Sequence, residues 1–198
     1  MESGVTTLSN LAVTEATRES LPVPFSWPLR IANLKRCLLV ERVPIEGSDK
    51  TLVLVNLHME AYSSDEGRKA QMGVLGKLLE TERNQGNYVI AGGDFNQAFP
   101  GSMEKYPLPA NPSWVPGQLT EEELPDGFAY ACDLNTPTCR ALDKPYDGNR
   151  KGLVAYVIDG FIVSSNVKVN SVETIDLNFR NTDHQPVAME FTLQPAGV

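Results

Sequence analysis

The sequence predicts a layered α/β protein whose sheet is mainly antiparallel. The 198 residues are 41% hydrophobic and 21% charged, which is typical of one compact globular domain with a sizeable core. Several apolar runs have the composition of β-strands, whereas one segment alone repeats its apolar residues at helical spacing. The elements follow the order strand, strand, helix, strand, long loop and three strands.

The first predicted element is a hairpin, which follows a weakly patterned segment at residues 1–20. Residues 36–43 and 51–57 are rich in β-forming side chains, and a turn with proline, glycine and aspartate separates them at residues 44–49. Residues 21–28 contain three prolines and two aromatic residues, so neither a helix nor a central strand is expected there.

A helix and a third strand come next. Ser63 and Glu66 form a capping box before apolar residues that recur at helical spacing as far as Arg83, and Gly86 supplies the stop. The strand predicted at residues 88–91 leads into a cluster of glycine, aspartate and asparagine.

Residues 99–151 are rich in proline, glycine and aromatic side chains. A connection of this length inside a compact domain usually carries function or moves. We therefore expect a long loop region on the substrate side of the molecule. Strand patterns return at residues 154–163, 167–175 and 187–192.

Charge and cysteine content narrow the function. The net charge of −8 argues against a general electrostatic grip on nucleic acid. Basic clusters at residues 30–36 and 140–151 leave room for a local phosphate contact, but a solvated face is favoured for both.

Cys132 and Cys139 are close enough in sequence to form a disulfide, although free thiols are favoured. No run can span a bilayer, and residues 1–10 lack the layout of a signal peptide.

Acid, amide and imidazole groups follow apolar runs at four places. In an extended backbone Asp94 and Asn96 point to the same side. Asp159 lies in an apolar run and needs a partner, since an unpaired buried charge is costly. A structural pair with a buried arginine or histidine is one interpretation, and His184 is the favoured partner. The four motifs are Asn56-Leu57-His58, Gly93-Asp94-Phe95-Asn96, Ile158-Asp159 and Thr182-Asp183-His184-Gln185-Pro186-Val187.

The order and spacing of these motifs resemble the endonuclease/exonuclease/phosphatase superfamily, which includes type I deoxyribonuclease, apurinic endonucleases, neutral sphingomyelinases and inositol polyphosphate 5-phosphatases. The resemblance covers residue 36 to the C-terminus. It implies a single domain over residues 1–198 with a four-layered αββα sandwich and mainly antiparallel sheets. It also implies metal-dependent hydrolysis of a phosphoester, with a phosphodiester favoured.

The resemblance also implies a role for each site residue. His184 resembles the general base, or the imidazole that contacts the scissile phosphate, and Asp159 orients it. Asp94 resembles the acid that positions the nucleophile or protonates the leaving oxygen. Asn96 would donate to the phosphoryl group as charge builds up. His58 resembles the second histidine of the nuclease and sphingomyelinase branches.

Asp183 resembles a carboxylate that helps to hold Mg²⁺ or Mn²⁺ in an oxygen-rich site. Superfamily members carry the main metal ligand, a glutamate, at the end of an earlier strand. This sequence shows no such strand before residues 4–10, which resemble the segment just past that glutamate. We therefore expect the C-terminal portion of the domain, inactive in isolation. A cytoplasmic location is the default expectation, because any targeting signal would lie upstream.

Two functions remain open at this stage. The first is a hydrolase of a phosphorylated small molecule or a lipid-like substrate, with nucleic acid disfavoured by the negative charge. The second is a non-catalytic module that retains the fold and binds a phosphorylated ligand or a protein.

Overall fold

The computed structural model describes residues 4–62 and 65–194, so Ser63 of the predicted capping box lies outside the described residues. One long helix and two short ones are present: α1 (Leu29–Ala32), α2 (Asp65–Asn84) and α3 (Ser102–Lys105), together with a 3-10 turn at Glu121–Glu123. The strands are β1 (Glu15–Ser20), β2 (Cys37–Pro44), β3 (Thr51–His58), β4 (Tyr88–Asp94), β5 (Gln97–Ala98), β6 (Gly117–Gln118), β7 (Phe128–Ala131), β8 (Cys139–Arg140), β9 (Ala155–Tyr156), β10 (Asp159–Ser164), β11 (Val167–Thr174) and β12 (Val187–Leu193).

A six-stranded sheet in the order β1-β2-β3-β4-β10-β7 forms the centre of the molecule. Within this sheet only the β3–β4 pair is parallel, because α2 carries the chain back across the sheet between these two strands. The remaining four pairs are antiparallel. The prediction of a mainly antiparallel sheet is confirmed.

The two faces of this sheet are covered by different elements. Alternate residues of β3 and β4, such as Val53 and Val89, share one core with Leu75 and other apolar residues of α2. Their neighbours, such as Leu52 and Ile90, share a second core with the β11–β12 hairpin. Helix, sheet and sheet therefore follow one another as in an αββα sandwich. Over the described part of the chain no second helical layer covers β11 and β12, whose outward residues are polar and exposed.

Three local features differ from the pattern in the sequence. Residues 15–20 form β1, an edge strand that is polar and exposed along its length and therefore shows no alternation. The run at residues 154–163 is split into β9 and β10. The 99–151 segment is not a loop throughout, because β7 lies at the opposite edge of the central sheet.

Two expectations concern the surroundings of the protein. No helix within residues 4–62 and 65–194 has the length and apolar character needed to cross a membrane, and the cytoplasmic location stays a prediction. Cys132 and Cys139 are both free thiols, as favoured.

Candidate active site

The last residues of β3 and β4 and the first residue of β10 form a row across one end of the sheet. His58 pairs with Asp94 in the parallel β3–β4 ladder, and Asp94 pairs with Asp159 in the antiparallel β4–β10 ladder. The sheet register therefore places an imidazole and two carboxylates side by side. The four sequence motifs contain all three of these residues, and the pairing of the three strands explains why they meet.

Asn96 holds Asp94 in place from the turn after β4. Its backbone adopts the left-handed conformation with φ of 51°, and its N–H donates to Asp94 Oδ1 at 2.8 Å. Its side-chain amide donates to Asp94 Oδ2 at 3.1 Å and to the Met59 carbonyl at 3.0 Å. Phe95 is fully buried, as the alternation predicts. Asn96 thus positions the carboxylate, and its donation to a phosphoryl group remains a prediction.

Asp159 and His184 form the pair that the sequence favours. His184 Nδ1 lies 3.1 and 3.0 Å from the two carboxylate oxygens of Asp159. Burial alone would lower the pKa of His184, but the hydrogen bond and charge of Asp159, with a further contribution from Cys139, raise it well above its ordinary value. Nδ1 is engaged by Asp159, so Nε2 is the atom left to meet a substrate, 3.9 Å from Asp94 Oδ2.

A buried threonine fixes the start of β10. Thr138 is fully buried, and its hydroxyl oxygen accepts hydrogen bonds from the N–H groups of Ile158 and Asp159, both at 3.1 Å. These bonds lie at the break between β9 and β10 and set the direction in which Asp159 leaves the backbone. Thr138 was not singled out from the sequence, because it lies 21 residues before Asp159 in an irregular segment.

Segment 138–140 also holds the loop that carries His184. The Arg140 N–H donates to the Asp183 carbonyl at 3.0 Å, and the Gln185 N–H donates to the Thr138 carbonyl at 2.7 Å. The buried Gln185 side chain donates to the Pro137 carbonyl and accepts from Leu177 N–H. Backbone pairing on both sides of His184 therefore fixes its position.

The remaining two groups of the row have shifted pKa values of opposite direction. Burial, together with the charges of Arg36 and His184, lowers the pKa of His58 to about 4. Burial and the neighbouring Asp159 raise the pKa of Asp94 to about 7. His58 Nε2 lies 3.3 Å from Asp94 Oδ2. At neutral pH His58 is therefore neutral, while Asp94 can both hold and release a proton.

The donor atoms at this end of the sheet fit a divalent cation. One ligand atom each from Asp94, Asp159 and His184 lie within 4.8 Å of one another. Carboxylate oxygens are the donors that Mg²⁺ prefers, and a cation would offset the burial and the charge of Asp159 that together raise the pKa of Asp94. Asp183 borders the same cavity but does not belong to this group, and within the described residues no glutamate belongs to it.

A cavity of about 560 Å³ opens over these residues. Its lining includes Asp94 and His184 and the aromatic side chains of Trp114 and of Tyr62, which is exposed at the rim. Arg36 and Arg140 also face it, although the sequence favoured a solvated face for both basic clusters; for Arg36, whose side chain is 11% exposed, that interpretation is wrong. The lining residues are Arg36, His58, Ala61, Tyr62, Asp94, Asn96, Ser113, Trp114, Cys139, Arg140, Ala141, Leu142, Asp143, Tyr156, Ile158, Asp183 and His184.

No protein-family model and no curated protein matches this sequence. Solved structures do match. An endonuclease/exonuclease/phosphatase from Beutenbergia cavernae superposes with a TM-score of 0.63 at 16% identity, over 94% of this chain and 46% of that one. The chain has the endonuclease/exonuclease/phosphatase fold.

Two further solved structures superpose on this chain at comparable similarity. A conserved protein of unknown function from Enterococcus faecalis gives a TM-score of 0.62 at 18% identity, over 92% of this chain and 67% of that one. A mannosyl-6-phosphatase from Bacteroides thetaiotaomicron gives 0.57 at 17% identity, over 92% and 67%. This chain thus spans from about half to two thirds of these structures, and the resemblance seen in the four motifs is confirmed at the level of the fold.

Proposed function

We propose that this chain carries the acid–imidazole part of a metal-dependent phosphoester hydrolase site, with a phosphodiester as the favoured substrate. The observation that supports this most directly is the meeting of Asp94, Asp159 and His184 within 4.8 Å of one another at the end of the central sheet, where Asp94 and His184 line the cavity. Paired acids and a histidine with a fixed ring orientation are suited to moving protons during in-line attack by water on phosphorus.

The pKa shifts favour one assignment of roles over the other. His184 is protonated at neutral pH because of Asp159, so its Nε2–H donates to a non-bridging oxygen of the scissile phosphate. Asp94, with a pKa raised to about 7, accepts a proton from the attacking water. Asn96 keeps Asp94 oriented through its two hydrogen bonds.

Asp183, a carboxylate that lines the cavity outside the Asp94–Asp159–His184 group, would help to hold Mg²⁺ or Mn²⁺. When bound, the ion acts as a Lewis acid that neutralises charge on the phosphoryl oxygens. The net charge of −8 and the aromatic rim favour a phosphorylated small molecule or a lipid-like substrate over nucleic acid.

A second function is supported by the composition of the ligand group. In the described part of the chain this group contains no glutamate, so a module that binds a phosphorylated ligand or a protein without catalysis is the alternative. For the same reason we propose that the isolated chain is a poor catalyst, since each ~1.4 kcal/mol of lost charge stabilisation lowers the rate tenfold.

Hydrolysis of bis(p-nitrophenyl) phosphate across a Mg²⁺ titration tests the proposal. We expect slow turnover that rises with Mg²⁺ and falls by about 10²–10⁴-fold in His184→Ala, while Lys168→Gln on the outer face of β11 leaves it unchanged. Ligand binding without a response to Mg²⁺ and without turnover would favour the binding module. Rapid Mg²⁺-dependent turnover lost in His184→Ala would support the hydrolase and contradict the weak-catalyst proposal.

A further inference from the structure

Arg36 has a buried donor that no described residue satisfies. Its Nε lies 3.7 Å from Glu60 Oε2, which is too long for a hydrogen bond, and it has no hydrogen-bond partner among the described atoms. The other Glu60 oxygen accepts from the N–H groups of Ala61 and Tyr62. Glu60 therefore lies close enough to balance the charge of Arg36 without forming a hydrogen bond to Nε, and Arg36 lines the cavity.

Arg140 is the second arginine that lines this cavity, and it too has a buried donor without a hydrogen-bond partner. Its Nη1 donates to the Ala141 carbonyl at 3.2 Å, and its guanidinium stacks over the Tyr146 ring at 4.9 Å from the centroid. Its Nε is buried without a hydrogen-bond partner. Among the described residues no carboxylate lies within 4.0 Å of its nitrogens, although Asp143 lines the same cavity.

Both arginines line the same cavity as Asp94 and His184, but neither is part of the strand ends that carry His58, Asp94 and Asp159. Arg36 precedes β2, and its charge acts on His58 and Asp94. Arg140 directly follows Cys139, which pairs with His184 across an isolated bridge. Buried donors in folded proteins nearly always have partners, and a guanidinium is shaped to bind the oxygens of a phosphate or carboxylate.

We infer that Arg36 and Arg140 form a subsite for a second anionic group of the substrate. This inference rests on the proposed function and narrows it: the substrate class is a phosphate ester that carries a further phosphate or carboxylate. The first phosphate lies over Asp94 and His184, and the second meets the guanidinium groups of Arg36 and Arg140 where these line the cavity. Such a group can belong to a soluble organic bisphosphate or to a phosphorylated lipid headgroup.

Calorimetric titration tests the subsite without any need for turnover. Ethylene glycol bisphosphate and butanediol bisphosphate are compared with ethyl and butyl phosphate, both in EDTA and in Mg²⁺. We expect a bisphosphate to bind at least about tenfold more tightly than its monophosphate. Arg36→Gln and Arg140→Gln should each remove this preference, and Arg36→Lys and Arg140→Lys should retain part of it. Arg150→Gln, outside the cavity and paired with Asp176, is the matched control.

A parallel binding measurement distinguishes a soluble bisphosphate from a lipid headgroup as the source of the second anionic group. Vesicles of phosphatidylcholine with and without phosphatidylinositol phosphate are sedimented with the protein, and arginine-dependent binding to the phosphorylated vesicles alone would assign the subsite to a lipid headgroup. Equal affinity for mono- and bisphosphates together with no vesicle binding would overturn the inference. A chain that prefers bisphosphates but hydrolyses nothing would retain the subsite and refute the hydrolase.

Discussion

At the residue scale, the two histidines of the chain lie on one cavity in opposite electrostatic surroundings. His58 is half-buried with Arg36 and His184 nearby, and its pKa falls to about 4. His184 has a carboxylate on its Nδ1, and its pKa rises. Because the two imidazoles carry different charges at neutral pH, the site has one neutral and one cationic nitrogen donor to offer a phosphate.

The Asp159–His184 pair makes a prediction for titration by nuclear magnetic resonance. Since Asp159 stabilises the imidazolium, Asp159→Asn should lower the pKa of His184, whereas the remote Asp176→Asn should leave it unchanged. The two ring C–H signals are assigned with His58→Gln, and their chemical shifts are followed against pH. A titration curve for His184 that Asp159→Asn does not move would rule out this partnership.

At the element scale, the parallel β3–β4 pair depends on a glycine. Gly93 has a φ of +144°, and a Cβ at this position would overlap the carbonyl oxygen of Leu57 in the neighbouring strand. The close approach of the two backbones sets the positions of His58 and Asp94 one residue further along. The glycine therefore belongs to the geometry of the site as much as to the sheet.

Gly93→Ala should lower the free energy of unfolding by about 3 kcal/mol or more, because the clash is with backbone and the φ is unfavourable for an L-residue. The matched change is Gly73→Ala in α2, where a Cβ meets nothing within 4 Å. There the better helix propensity should raise stability by about 0.5–1 kcal/mol. Urea unfolding followed by circular dichroism measures both, and similar effects for the two variants would refute the argument.

An ion pair joins α2 to β2 and makes the stability of the fold depend on pH. Arg42 Nη1 donates to Glu82 Oε2 at 2.8 Å, and Asn87 Nδ2 donates to the same oxygen at 2.8 Å. The hydrogen bond from Arg42, opposed by burial, lowers the pKa of Glu82 below its ordinary value of 4.5. A depressed carboxylate pKa contributes stability that is fully present above 4.5 and lost as the pH falls through the folded-state pKa.

Glu82→Gln should therefore lower the melting temperature at neutral pH and flatten its decline between about pH 5 and pH 3. Glu80→Gln is the control, because Glu80 is exposed on the same helix two residues away. This variant should retain the wild-type dependence of the melting temperature on pH. Thermal melts across this range decide the matter: an unchanged acid slope in Glu82→Gln would show that other carboxylates account for it.

At the scale of the whole molecule, apolar surface is left open in two regions. One is a groove of about 570 Å³ between the β7 edge and β11, lined by side chains such as Phe128, Val169 and Val172. The other is near the N-terminus, where Trp27 and Ile31 are 78% and 75% exposed. Val13, from the N-terminal segment, packs against the second core, but it is not among the residues that line this groove.

Open apolar grooves and sheet edges promote association, so the isolated chain should self-associate at high concentration. Val172, which lines the groove, offers a test: Val172→Thr should shift sedimentation toward monomer, and Ala188→Ser on the outer face of β12 should not. A wild-type chain that sediments as a single monomeric species at all concentrations would contradict the prediction.

The sequence by itself determined the strands β2, β3, β4, β10, β11 and β12, the long helix and the pairing of an acid with an imidazole. Apolar alternation reports which face of a strand is buried. Asp94, Asp159 and His184 could be grouped in one site because their motifs resemble, in order and spacing, those of the endonuclease/exonuclease/phosphatase superfamily. Asp159 could also be paired with His184, because an unpartnered carboxylate in an apolar run is too costly.

Tertiary structure alone decided the rest, because it depends on partners distant along the chain. β1 carries no pattern, since an exposed edge strand buries neither face and is defined by its pairing to β2. Thr138 fixes Asp159 across 21 residues of irregular chain. The sequence favoured a solvated face for both basic clusters, whereas in the structure Arg36 and Arg140 line the cavity. A local pattern records burial, whereas the direction of a long polar side chain is set by whatever the fold brings beside it.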